Sequence, residues 1–204
     1  MKRFSTETDR VEAFSDGVFA VIITIMVLEI HPPHGGELRD FLPAIPTIAI
    51  YALSFIFIGI YWNNHHHMMR ASKGVDGRAM WANLHLLFWL SLVPFSTSWL
   101  GQNPTAVGPT VLYGANLLLD AIAYVILQRS LLAVNGSDAP FAKAVAVDVK
   151  GTVSIVLYVL AICAAFFVTA AADALFVTIA VMWLVPDRRF EPLIDSGERP
   201  RSSA

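Results

Sequence analysis

Charge is scarce in this sequence: Asp, Glu, Lys and Arg make up 15% of its 204 residues, while 56% are hydrophobic. A soluble domain carries about a quarter charged residues, and a mean hydropathy of +0.60 would leave large apolar patches in water. A soluble enzyme and a disordered chain are both excluded on this ground. Basic charge is not in excess either, since the formal net charge is −2, so nucleic acid is not an expected partner. A single cysteine, Cys163, excludes an intrachain disulfide framework and any cysteine-based zinc cluster. Period-two alternation is missing, which excludes barrel strands. No TVGYG segment occurs, so the carbonyl-cage filter of ordinary potassium channels is not available.

What the sequence has instead is long apolar runs. A bilayer crossing takes about 20 mostly apolar residues, and six segments qualify or nearly qualify: 11–30, 41–62, 79–100, 109–129, 151–171 and a short 173–186. The reading is an all-α polytopic membrane protein, one six-helix domain followed by a polar tail over 187–204. The N-terminus carries acidic residues and no small-residue cleavage site, so it does not read as a signal peptide. Six crossings place Lys2, Arg3 and Arg10, then Arg70, Lys73 and Arg78, then Arg129, Lys143 and Lys150, and finally Arg188, Arg189, Arg199 and Arg201 on one side, leaving Arg39 alone on the other. The positive-inside rule then puts both termini in the cytoplasm. This arrangement requires a turn near Ala172 and Asp173. It makes 65–78 a basic internal loop, and 130–150 an internal connection that is in part a surface helix.

The first span is unusual. Ser15 and Asp16 sit at its cytoplasmic edge, and beyond them Val21, Thr24, Ile25 and Leu28 share one helical face, which Gly17 extends. Helix packing explains such a face in an arbitrary membrane helix. A membrane-edge carboxylate, however, needs a partner. Arg10 is nearly two turns away, so partners from the second and third spans are favoured: Asn64, His65 and His66 from one, Trp81, Asn83 and His85 from the other. Together these polar groups would lock three helices. Glu29 closes the span at its outer end, as a solvated carboxylate or as part of an acidic mouth.

Arg10-xxx-Phe14-Ser15-Asp16 before an apolar helix resembles the signature of the transmembrane protein 175 family of potassium channels, found in bacteria and lysosomes. IGIYWNNHHHMMR (58–70) is similar to that family's end of the second span. WANLHLLFWLSLVPFSTSWLG (81–101), with Pro94-Phe95-x-Thr97, is similar to its third span. The resemblance implies a six-helix subunit whose first helices line a central cation pore. With one signature and no second copy, it points to the single-repeat bacterial type: a homotetramer in the cell membrane. On the matching positions the narrowest part of the pore is formed by Val21, Ile25 and Leu28, with Thr24 supplying a ring of hydroxyls. Val21 departs from the larger Ile or Leu common there. The implied function is potassium-preferring conduction gated by dewetting of an apolar ring, with permeant potassium and no cofactor.

Three adjacent histidines, His65 to His67, point about 100° apart on a helix, so they do not converge on one ion while the helix continues; no metal site is expected. Histidine titrates near neutrality, which makes gating sensitivity to pH an expectation. Asp120 lies in mid-span, one turn after Asn116, and reads as a structural bond to another helix. The competing reading is a proton-coupled secondary transporter using Asp16, Asp120 and the His65–His66 cluster. Against it, the broken helices in two corresponding halves that mark such transporters are not visible.

Overall fold

The computed structural model describes residues 2–72, 74–136 and 148–184. The described residues form seven α-helices and a 3-10 segment, with no strand among them: α1 (Lys2–Leu28), the 3-10 segment (Leu38–Ala44), α2 (Ile45–Ala71), α3 (Gly77–Leu90), α4 (Val93–Gln102), α5 (Val107–Asn135), α6 (Val149–Ala165) and α7 (Thr169–Leu184). Four continuous or near-continuous stretches, Glu7–Leu28, Leu38–Ala71, Gly77–Gln102 and Val107–Asn135, are long and apolar enough to cross a bilayer. The shorter α6 and α7 complete an all-helical, multi-pass membrane fold. The tail 187–204 with all four of its arginines, residues 137–147 of the 130–150 connection with Lys143, and Lys73 lie outside the described residues.

Local chemistry sets most helix ends. Asp76 caps α3 by accepting from the Ala79 N–H at 2.8 Å, and Asp148 caps α6 through the Gly151 N–H at 2.8 Å. Pro46 sits in the first turn of α2, where its missing N–H costs nothing. Gly136, at φ +83°, ends α5 in a conformation that L side chains avoid.

The helices pack into two apolar cores. One joins Phe19, Ile22 and Met26 of α1 to Met68 and Met69 of α2, Leu86 and Leu90 of α3, and Leu127 and Leu131 of α5. The other joins Phe57 of α2 to Tyr113 and Leu117 of α5, Tyr158 of α6 and Phe176 of α7. In the second core, a Cβ at Gly114 would come within 3.0 Å of both Ile162 and Phe176. Glycine is what lets α5 approach α6 and α7 this closely.

The structure corrects three expectations. The third span is not one rod: it breaks at Ser91–Leu92 into α3 and α4, because Pro94 has no N–H to give the Leu90 carbonyl and its ring crowds that turn. The second span runs on to Ala71 and α3 begins at Gly77, so His65–His67 are helical and most of the expected loop 65–78 is helix. The reason is that Met68 and Met69 are fully buried in the first core, and only a continued helix brings them there. The turn between the last two helices lies at Phe166–Val168, not at Ala172 and Asp173. Ala172 is fully buried inside α7, whereas the turn residues are exposed and closed by Phe167 N–H to Ala164 O and Val168 N–H to Ala164 O bonds at 2.9 and 2.8 Å.

Candidate functional site

The first helix has two unlike faces. Ser15, Phe19, Ile22 and Met26 are buried against the rest of the subunit, while Phe14, Gly17, Val21, Thr24, Ile25 and Leu28 face away from it. Val21 is 54% exposed and Leu28 78%. The two sets interleave at helical spacing, so the same rod serves the subunit's core on one side and offers an unpartnered apolar strip on the other. Beside the strip runs a groove of about 1080 Å³ between α1 and α4, whose lining includes Phe14, Val21, Ile25, Phe95 and Trp99.

Two polar groups interrupt the strip. The Thr24 hydroxyl lies 2.9 Å from the Val21 carbonyl and 3.1 Å from that of Ala20. Its proton is therefore turned back onto the helix, and the oxygen lone pairs remain as acceptors on the exposed side. Glu29, just past the helix end, accepts from Ser98 Oγ at 3.0 Å, and Ser98 in turn accepts from Gln102 Nε2 at 3.0 Å. The carboxylate is thereby held toward α4.

At the N-terminal end of α1 the structure brings part of the expected polar cluster together. Asn83 Nδ2 donates to Ser15 Oγ at 2.9 Å, and Ser15 donates to the Val11 carbonyl at 2.8 Å. With the Asn83 amide oriented that way, its Oδ1 must accept, so the 2.8 Å contact to His65 Nε2 places the imidazole proton on Nε2. Ser15, His65 and Asn83 are all buried, and Phe19 lies edge-on to the His65 ring at 5.6 Å. This chain of bonds ties α1, α2 and α3 together. Asp16 is held separately: Trp62 Nε1 donates to its Oδ1 at 2.9 Å.

Other expected members stand outside this chain of bonds. His66 faces Glu12 of α1, its Nδ1 2.7 Å from Glu12 Oε1. Trp81 is 75% exposed, and Trp62 of α2 supplies the indole N–H to Asp16 in its stead. His85 faces outward and accepts from Trp89 Nε1 on its own helix at 2.9 Å. Asn64 turns its amide onto the Ile60 carbonyl at 2.8 Å. Arg10 is exposed, with no ion pair to Asp16 among the described residues. For Asn64, Trp81 and His85 the reason is helix rotation, which turns the side chain away from the α1–α2–α3 contact, a fact that span depth alone does not reveal; Arg10 lines the α1–α3 groove beside Asn83.

Sequence reasoning missed other polar residues. Thr97 Oγ1 donates to Ser54 Oγ at 2.8 Å, and Ser54 Oγ meets Tyr113 OH at 2.9 Å, joining α4, α2 and α5. Asn116 grips the break between α3 and α4 with both ends of its amide. Its Nδ2 donates to the Trp89 carbonyl at 3.0 Å, and its Oδ1 accepts from Ser96 Oγ at 3.0 Å. The inter-helix bond expected of Asp120 is thus made by Asn116. Asp120 is fully buried within the subunit, 3.4 Å from Asn116 Nδ2 on its own helix. Nearness of Ser96 to Pro94 was the available signal, because a proline break leaves polar backbone needing a partner.

These features define an integral membrane protein with a polar lock at one end of its first helix and an open apolar face along it. A sequence profile of the family described as endosomal/lysosomal potassium channel TMEM175 matches residues 10–94, the segment that carries the lock, the strip and the start of α4. A potassium channel of Chryseobacterium sp. (strain P1-3) is 46% identical over 182 residues, 89% of this chain and 95% of that one. A potassium channel of Streptomyces collinus is 41% identical over 47% of this chain and 48% of its own length. The crystal structure of a lysosomal potassium-selective channel TMEM175 homolog from Chamaesiphon minutus superposes with a TM-score of 0.77 at 28% identity, covering 89% of this chain and 98% of that one. The chain belongs to the TMEM175 family of multi-pass membrane channels, and is not an enzyme.

Proposed function

We propose that this chain conducts potassium as a homotetramer, with four copies of α1 around a common axis and both termini in the cytoplasm. The observation that carries the reading is the α1 strip of Gly17, Val21, Thr24, Ile25 and Leu28, left unpacked by its own subunit in a chain whose relatives are named potassium channels. The groove between α1 and α4 supplies the flank on which a neighbouring subunit's helices seat. Val21, Ile25 and Leu28 then form a narrow apolar throat that closes by losing its water and opens when the helices move apart. Single-channel current from the purified protein in a planar bilayer tests the reading. No current, or a strip of α1 that cross-links only to lipid, removes it.

Selectivity is assigned to Thr24. Its outward lone pairs replace part of an ion's hydration, and potassium gives up water more readily than sodium, so the preference is moderate rather than strict. Thr24→Val keeps the shape and removes the oxygen. Its reversal potential in mixed K⁺/Na⁺ solution is expected to move toward the non-selective value. An unshifted potential would take Thr24 out of the account.

Four Glu29 carboxylates, each steadied by Ser98, form an acidic outer mouth that concentrates cations. For Glu29→Gln, conductance is expected to fall at low ionic strength and to match wild type near 1 M salt, where screening shortens the Debye length to about 3 Å. A loss that is the same at every salt concentration would mean the carboxylate shapes the mouth instead of charging it.

A further inference from the structure

We propose that Glu12, Asp16 and His66 form a binding site for a borderline divalent cation of the Zn²⁺ type, at the N-terminal end of α1. One ligand atom from each of the three side chains lies within 4.8 Å of the other two. Glu12 and Asp16 are four residues apart, which puts both carboxylates on one face of α1, and His66 reaches them from α2. His66 Nδ1 is 2.7 Å from Glu12 Oε1 and is itself shielded from solvent, so the ring nitrogen is aimed into the cluster and not at bulk water.

The surroundings hold this geometry. Trp62 donates to one oxygen of Asp16, leaving the other to coordinate, and its ring stacks on His66 with centroids 5.9 Å apart and planes 24° from parallel. A single tryptophan thereby orients two of the three ligands, as outer groups around metal sites do. Two carboxylates side by side repel, and a protonated His66 would offset only one of them; a dication offsets both. The donor set decides the class of ion. One imidazole nitrogen and two carboxylate oxygens, with water in the fourth position, suit tetrahedral zinc at about 2.0–2.2 Å. Calcium requires six to eight oxygens, and magnesium a near-octahedral oxygen shell. Closing the ligand atoms around zinc takes side-chain rotations only, since all three groups are already on adjoining helix faces. The bound ion would staple α1 to α2, and its binding does not depend on the pore reading.

The test is isothermal titration of tag-free, chelator-treated protein with ZnCl₂. One Zn²⁺ per subunit is expected, with calcium giving no heat. Glu12→Gln, which keeps the side chain's shape, and His66→Ala are each expected to weaken zinc binding by about tenfold or more. His67→Ala and His34→Ala are expected to bind as wild type does. Zinc should also raise the unfolding temperature of the wild type and not that of Glu12→Gln, a readout that stands even if His66→Ala fails to fold. Unchanged affinity in Glu12→Gln, or an equal loss in His67→Ala, overturns the site. The second result would move binding to the histidine tract.

Discussion

Replacing Ile25 and Leu28 together by asparagine is expected to raise resting potassium flux in proteoliposomes by about tenfold or more. The two side chains occupy successive turns of the exposed α1 strip, at 44% and 78% exposure, and in a fourfold assembly each contributes four copies to the throat. An apolar ring closes because water inside it has nothing to bond to; amides give it partners, and the pore stays wet. About 1.4 kcal/mol off the crossing barrier accounts for a tenfold gain, a modest demand on eight new polar groups. Asparagine is also close to leucine and isoleucine in length, so the assembly is not wedged apart. Wild-type flux from an intact double variant would show that the restriction lies elsewhere. The same variant run through size-exclusion chromatography distinguishes that result from a lost oligomer.

The second large effect is structural. Asn83→Leu should lower the unfolding temperature by about 5–15 °C. Asn83 is the middle of the lock: one end of its amide donates to Ser15 and the other accepts from His65. Leucine fills similar space and answers neither. The buried Nε2–H of His65 then has no acceptor, which costs about 1–3 kcal/mol, and Ser15 loses a donor at somewhat smaller cost. In a chain of this length each kcal/mol moves the midpoint by about 2–4 °C. His85→Leu, on the outward face of the same helix, should shift it by no more than about 2 °C. Equal shifts for the two variants would mean that the lock does not hold the three helices.

Much of this molecule was legible in its sequence because a bilayer imposes a coarse rule. Uncharged runs of sufficient length must be helices, and the runs were there. The interleaved faces of α1 were also readable, since Val21, Thr24, Ile25 and Leu28 fall on one side by spacing alone. What spacing does not fix is rotation of one helix against another. Asn64, Trp81 and His85 share the depth of Ser15 and Asp16, yet only Asn83 meets Ser15, with His65 joined behind it through the Asn83 amide oxygen, and Trp62 rather than Trp81 meets Asp16. Depth follows from counting residues; azimuth follows from packing, which the buried Met68 and Met69 set. The turn at Phe166–Val168 was hidden for a different reason. In a bilayer a turn need not be polar, so Phe-Phe-Val closes one as well as Gly or Pro would, and hydropathy passes over it.

The interruption between α3 and α4 gives the subunit a knee. At Pro94 one rung of the backbone ladder is already missing, and Asn116 carries the load on either side through its two amide ends. Bending at this joint sacrifices no further rung, whereas bending α5 alongside it would. Tilting of the outer segment, which carries Phe95, Ser98 and Trp99 beside α1, is therefore mechanically cheap, while the shank below stays clamped by Asn83.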